Sequence, residues 1–326
     1  MNRNIILIIA LVVVGGITWL VWKNKPDTAT TLDRTASNFK IDDVNTIGRI
    51  LITNKDGSRS DLKRVNDYWT INDQHRARQQ SVEHLLKGIN RQHLDYIPNK
   101  AATEGILKSI AVNGMHVEIF DLTGNSLLAY YIGGVTQDEG GTFFLKEGST
   151  QPYTLIEPGF SGGLRARYAL RPVDWRDVRF WIEDTEAIDT FKVDYPKDRQ
   201  HSYMLFKNGN SYDIEPLYTT TPRKEGANKV KIESYITSLS QLACENFLPT
   251  SAERDSIISM VPHLQIDMIY TDKKSYLKFF SNSLPEGQKS ATDIPRFFID
   301  YSGKDFMIAQ QEVIKEAFRS YSYFFE

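Results

Sequence analysis

The sequence predicts an α+β protein: an N-terminal transmembrane helix followed by two tandem, duplicated antiparallel-sheet-plus-helix units. Three observations carry that expectation. Residues Asn4 to Trp22 run nineteen positions without a charge. The remainder alternates short period-two apolar runs with turn residues, the pattern of hairpins and antiparallel pairing. The order of those runs, and of the helical patterns between them, occurs twice.

At about 1.5 Å per residue, nineteen residues span roughly 28 Å, enough to cross the hydrocarbon core of a bilayer. Arg3 flanks one side, Lys23 and Lys25 the other, and Trp19 and Trp22 fall where an interfacial aromatic belt forms. A cleaved signal peptide is the competing reading. Against it, the apolar run is longer than a signal core, no A-x-A site follows, and the run lacks a lipoprotein cysteine. Residues 1–25 are read as an uncleaved anchor that meets the lipid bilayer through residues 4–22. Residues 26–40 are a polar linker, set off by Pro26. The flanking charges balance, so they do not decide the orientation, and long domains translocate despite such charges.

The first unit is assigned to residues 41–182. "IGRILITNKDGSRSDLKRVNDYWTIN" reads as three strands, with turn signals at Asp56-Gly57 and Asn66-Asp67. Val82, Leu85, Leu86 and Ile89 recur at helical spacing. A short helix near Ala101–Ile110 and four further strands follow, from "MHVEIFD" through "PYTLIE". The second unit, 183–326, runs in the same order: three strands, a helix burying Val230, Ile232, Ile236, Leu239 and Leu242, a second short helix, four strands and a closing helical piece. Tyr68-Trp69 aligns with Ser211-Tyr212 at an offset of 143, Val117 with Ile266 at 149, and Phe143-Phe144 with Phe297-Phe298 at 154. Such slow growth fits small insertions in loops. Nothing alternates as βαβ, which argues against a doubly wound nucleotide-binding sheet.

Composition narrows the function further. The 326 residues are 41% hydrophobic and 12% aromatic, enough for two cores. A formal charge of -2 with no Lys/Arg run argues against nucleic acid as a partner. The single cysteine, Cys244, excludes an intramolecular disulfide and a cysteine-based zinc site. The six histidines, His75, His84, His93, His116, His201 and His263, show no metal-ligand spacing, and no cofactor motif is present, so neither metal nor cofactor is expected.

One motif does suggest chemistry. Gly159-Phe160-Ser161-Gly162-Gly163 fits the G-x-S-x-G nucleophile elbow of serine hydrolases, with "YTLIE" before it and "LRARYAL" after it. Pro158-Gly159 is a turn signal in its own right, and Ser161 is placed to cap the helix that follows. The matching junction in the second half, "FMIAQQEVIKEAF", lacks both serine and glycines, so the junction belongs to the fold. A turn and cap is the favoured reading, a serine esterase the remote alternative, and no catalytic residue is assigned. "IGGVTQDEGG" lacks the lysine and spacing of a phosphate loop and reads as a hairpin connection. Arg165, Arg167, Arg171, Arg176 and Arg179 lie among aromatics beside Asp174 and Asp177. Local pairing is the favoured reading; Arg165, Arg167, Trp175 and Arg176 are the candidates for an interaction surface. The C-terminal "YSYFFE" is expected to dock, extending the helix begun at Gln311.

Several of these stretches also carry a family resemblance: "DYWTI", "ARQQSVEHLLKGI", "YYIGG", "GTFFL", "PGFSGGLRARY" and "VDWRDVRFW". With their order, they resemble the bacterial family called domain of unknown function 4340. The resemblance covers most of the chain after the anchor and implies no catalytic residues. It implies a membrane-anchored protein associated with ABC-type export systems and gliding-motility auxiliary proteins. The resulting expectation is a non-catalytic, membrane-anchored accessory or scaffold subunit of a transport complex. Its body lies outside the cytoplasmic membrane and its partners are membrane-complex proteins. An extracytoplasmic glycan- or peptide-binding module is the alternative.

Overall fold

Hairpins dominate the chain. In the first half they give β1 (Ile47–Thr53), β2 (Arg59–Val65), β3 (Tyr68–Ile71), β4 (His75–Arg76), β5 (His93–Tyr96), β6 (Met115–Asp121), β7 (Ser126–Val135), β8 (Thr142–Lys146) and β9 (Pro152–Ile156), with helices α1 (Gln79–Arg91) and α2 (Lys100–Asn113). The second half gives β10 (Thr190–Asp194), β11 (Tyr203–Asn208), β12 (Ser211–Pro216), β13 (Asn246–Phe247), β14 (Leu264–Ile269), β15 (Lys274–Ser281), β16 (Arg296–Tyr301) and β17 (Asp305–Gln310). Its helices are α3 (Lys229–Leu239), α4 (Arg254–Ile258) and α5 (Gln311–Ile314). These elements belong to a computed structural model that describes residues 38–180, 185–282 and 294–326. The expected anchor at residues 4–22 and nearly all of the linker lie outside the described residues. No helix among the described residues is long and apolar enough to cross a membrane.

The strands form two antiparallel sheets. One has nine strands in the order β4-β3-β2-β1-β6-β7-β8-β9-β5, the other eight in the order β12-β11-β10-β14-β15-β16-β17-β13. With β4 set aside, every strand of the first has a counterpart at the same place in the second. By compactness the chain divides into two units, one comprising residues through Arg59 with His84–Ala169, the other Ser60–Glu83 with Leu170–Glu326. The boundary expected from the sequence, 182/183 between two contiguous halves, differs from this division, in which Ser60–Glu83 groups with the C-terminal unit.

Register extends the correspondence to single residues. Ile52 pairs with Val117 and Val117 with Tyr130; Val193 pairs with Ile266 and Ile266 with Leu277. Arg64 pairs with Trp69 as Lys207 does with Tyr212. The turns agree as well. Asn66 (φ 54°) opens the β2–β3 turn and Gly209 (φ 62°) the β11–β12 turn, the left-handed residue that such two-residue turns require.

One sequence alignment is a residue out. Phe144 lies opposite Ile132 and Ile299 opposite Phe279, so Phe143-Phe144 corresponds to Phe298-Ile299, an offset of 155 rather than 154. The hairpin tips agree with that value, Gly148 (φ 74°) matching Gly303 (φ 70°). A one-residue slip in a strand exchanges its faces. Phe144 is fully buried, whereas Phe298 packs with Ile257, Phe280 and Phe306 in a small separate cluster.

Helix burial follows the expected spacing with three exceptions: Leu86 is half-buried, Leu242 is buried beyond the end of α3, and Val230 is exposed. Val82, Leu85 and Ile89 are fully buried. In α3 the inward residues are Ile232, Tyr235, Ile236 and Leu239, while Val230 is 72% exposed. Val230 sits in the first turn, where Asn228 caps the helix by accepting from the Val230 and Lys231 N–H groups. The C-terminal aromatics dock as expected, Tyr321 and Phe324 joining the core of the second unit. They do so on a 3-10 turn of their own, Tyr321–Phe325, which follows α5 and the 3-10 turn Lys315–Phe318, not on a continuous helix.

Candidate functional site

Backbone requirements account for the glycines of the G-x-S-x-G motif. Gly159 and Gly162 hold φ of 75° and 107°. A Cβ on Gly163 would lie 2.0 Å from Val135 Cγ1 and 2.9 Å from Thr142 Oγ1, so only glycine fits. Strand β9 ends at Ile156, and only a 3-10 turn, Leu164–Arg167, follows the motif. Ser161 is exposed and is not among the positive-φ residues. The sharp strand-to-helix turn of a nucleophile elbow is therefore not formed. Nor does Ser161 cap: Gly163 occupies the N-cap position, with no side-chain hydrogen bond. In the glycine-rich "IGGVTQDEGG" the two glycines Gly133 and Gly141 are packed in the same way, a Cβ on Gly133 meeting Ile110 Cγ1 at 2.7 Å and one on Gly141 meeting Thr154 Cγ2 at 2.5 Å, while Gly134 faces open space.

The four candidate interaction residues hold intramolecular positions. In the first unit, Arg165 donates to the carbonyls of Ile132, Gly133 and Asn113 at 2.9–3.1 Å. Two of these acceptors lie where the β7–β8 ladder is irregular, between Ile132 and Val135. Burial lowers the Arg165 pKa from its ordinary value. Arg167 pairs with the buried carboxylate of Glu157 at 3.0 Å and stacks on Phe160, 4.0 Å from the ring centroid. In the second unit, Trp175 is fully buried. Arg176 makes two 2.9 Å bonds to Asp305 on β17 and lies 3.8 Å from the Phe247 ring centroid on β13. Burial pushes the Asp305 carboxyl up, but the hydrogen bonds and charge of Arg176 outweigh it, so the group sits below its usual range. Burial, then the Arg176 charge, lowers the pKa of nearby His75. Only Arg171 and Arg179 pair locally as expected, with Asp174 and Asp177.

Among the described residues, no group of three or more His, Cys, Asp or Glu gathers to hold a metal ion. His116 lies between Glu118 and Glu147, at 3.7 and 3.3 Å, and stacks on Tyr131. Cys244 is buried, which pushes its thiol up to about 12, away from the reactive thiolate.

A cleft in the second unit was not foreseen from the sequence. It encloses about 650 Å³ between β12 and the segment 223–229, within the size range of ligand sites. Phe206, Tyr212, Ile214 and Ile232 supply its apolar lining; Arg223, Lys224 and Lys229 are its cations, Asp213 and Glu225 its carboxylates. Arg223 pairs with Glu215 at 2.9 Å, and Asp213 accepts from the Asn208 amide at 2.7 Å. The Lys229 ammonium donates to the Ser211 hydroxyl at 3.3 Å, and that of Lys224 lies 5.8 Å from the Phe325 ring centroid.

A repeat-length difference accompanies the cleft. Trp69 corresponds to Tyr212 at an offset of 143. The buried helix faces, Val82-Leu85-Ile89 and Ile232-Tyr235-Leu239, correspond at 150. The second half therefore carries seven additional residues between its third strand and its helix. Reading the offset at the helix as well as at the strand would have located that insertion.

Comparison with protein-family models, with curated proteins and with solved structures found no match to this chain.

Proposed function

We propose that this chain is a non-catalytic, membrane-anchored accessory subunit of an ABC-type membrane transport complex, built by duplication of one sheet-plus-helix unit. Residues 4–22 anchor it in the cytoplasmic membrane, and its body faces the extracytoplasmic side. Shared strand order, matched register and matched left-handed turn residues support the duplication. The observation that carries the binding role is a difference between the halves. The outer edge of β3 is covered by β4, whereas the corresponding edge of β12 lies beside a cleft. Duplicated units that differ at one edge suit a protein that holds a partner.

The runner-up is an extracytoplasmic module for a glycan or peptide, favoured by the same cleft. Affinity purification of the tagged full chain from gently solubilised membranes separates the two. Stoichiometric recovery of permease or ATPase subunits is the expected result. A chain that elutes alone, yet gains thermal stability from a sugar library, would replace the accessory role with the module. A fluorophosphonate probe is expected to leave the pure protein unlabelled; labelling abolished by Ser161→Ala would reinstate the esterase.

A further inference from the structure

We propose that the outer edge of β12, at Ile214, receives an extended, acidic segment of a partner protein, added antiparallel as a further strand. The inference rests on the chain being a binding protein, and it names what the cleft binds.

Hydrogen-bond parity shows which backbone groups face the cleft. In an antiparallel pair, residues alternate between exchanging bonds with their partner and pointing away from it. The pairing of β11 with β12 runs from Asn208↔Ser211 to Tyr203↔Pro216, and the bond from Leu217 N–H to Ser202 O, 3.2 Å, continues it. Bonded positions are therefore Ser211, Asp213, Glu215 and Leu217. Ile214 points its N–H and C=O away from β11, and among the described residues no backbone group meets them. Pro216, which has no N–H to offer, takes the next outward position, as proline does on edge strands.

The first half shows what such an edge accepts. Ile71 occupies the position of Ile214, both lying opposite a leucine of the preceding strand. There the chain turns back as β4: Ile71 faces His75, the Trp69 carbonyl accepts from Ala77 N–H at 2.7 Å, and the Ile71 carbonyl from Gln74 N–H at 3.2 Å. In the second half the longer connection departs instead. Its Lys224 N–H donates to the Tyr321 hydroxyl and its Asn228 N–H to the Phe324 carbonyl, at 3.0 and 2.8 Å. The result is a strand edge with a cleft beside it where its counterpart has a strand.

Charge selects the occupant. Arg223 already holds Glu215 and Asp213 accepts from the Asn208 amide, whereas the ammonium groups of exposed Lys224 and Lys229 have no carboxylate partner among the described residues and outnumber the one remaining carboxylate of the cleft, Glu225. A strand laid against β12 beneath residues 223–229 would bring an acidic side chain to them. Main-chain bonds then supply affinity and the side-chain positions specificity, as in strand addition generally.

The test uses the purified full chain in detergent and a phage-displayed library of random heptapeptides. Selected peptides are expected to be rich in Asp and Glu and to slow exchange of the Ile214 amide about tenfold or more at saturation. N-methylation of the synthetic peptide backbone is expected to abolish binding at alternate positions only. Lys224→Glu with Lys229→Glu is expected to weaken binding about tenfold or more with unchanged melting temperature. No enriched peptide, an unprotected Ile214 amide, or indifference to N-methylation would overturn the proposal. Protection of Ile214 already present in the isolated full chain would overturn the assignment to a partner. Strand capture without co-purifying transport subunits would sink the accessory role and leave the edge site standing; the converse would sink the edge site alone.

Discussion

Gly163 is more consequential than the serine that draws attention to its motif. A methyl group there would overlap Val135 and crowd Thr142. Gly163→Ala is expected to destabilise the protein by about 1–3 kcal/mol, the usual cost of overpacking. Ser161→Ala should change stability by less than about 0.5 kcal/mol, as surface substitutions do. Denaturant titration of the two variants checks the contrast, and equal effects would contradict it. Asp121 offers a second reading at this scale. Hydrogen bonds from the Thr123 hydroxyl, then from the Asn125 backbone and side chain, lower its carboxyl to about 2. A side-chain carbon titration by NMR should find its midpoint near that value. A midpoint near 4 would show that the turn is not held as described.

Arg176 carries the interactions between elements of the second unit, joining the segment after Trp175 to β13 and β17. Asp305→Ala would leave a half-buried guanidinium unpaired, an expected loss of about 3 kcal/mol. Asp305 sits below its ordinary carboxylate value when folded. Its stabilisation is thus present above the unfolded value near 3.9 and is lost as the pH falls through the folded one. His75 is lowered as well, so folding disfavours its protonation. Stability therefore declines as the pH drops below about 6.5 toward the folded value. In denaturation curves at stepped pH, His75→Gln should flatten the limb just below 6.5, and Asp305→Asn the more acidic limb. Unchanged profiles would contradict the arrangement.

At this scale the sequence was largely legible, because hairpin alternation and the buried helix spacing are local patterns. Phe143-Phe144 was misaligned because the pair matches Phe297-Phe298 by identity and Phe298-Ile299 in only one residue, and cross-strand partners, not identity, decide which faces the core. Val230 was misjudged because apolar character in a first helical turn does not imply burial. The arginines were legible as a cluster but not in their pairings, since the partners of Arg165, Arg167 and Arg176 lie 10 to 129 residues away. No local pattern encodes such distances.

At the scale of the whole molecule, two sheets share one strand order, with β4 beside β3 in the first and a cleft beside β12 in the second, and the proposed role places a partner at that second edge. The matching order of strands was legible in the sequence; the edge of β12 was not, because what covers a strand edge is set by chain far away in sequence. Carbodiimide coupling in native membranes, followed by peptide mass spectrometry, tests the claim most directly, since it joins lysines only to carboxylates in direct contact. Zero-length links are expected from Lys224 and Lys229 to acidic residues within one short segment of a transport-complex subunit. Links from these lysines solely to carboxylates of this same chain would contradict it.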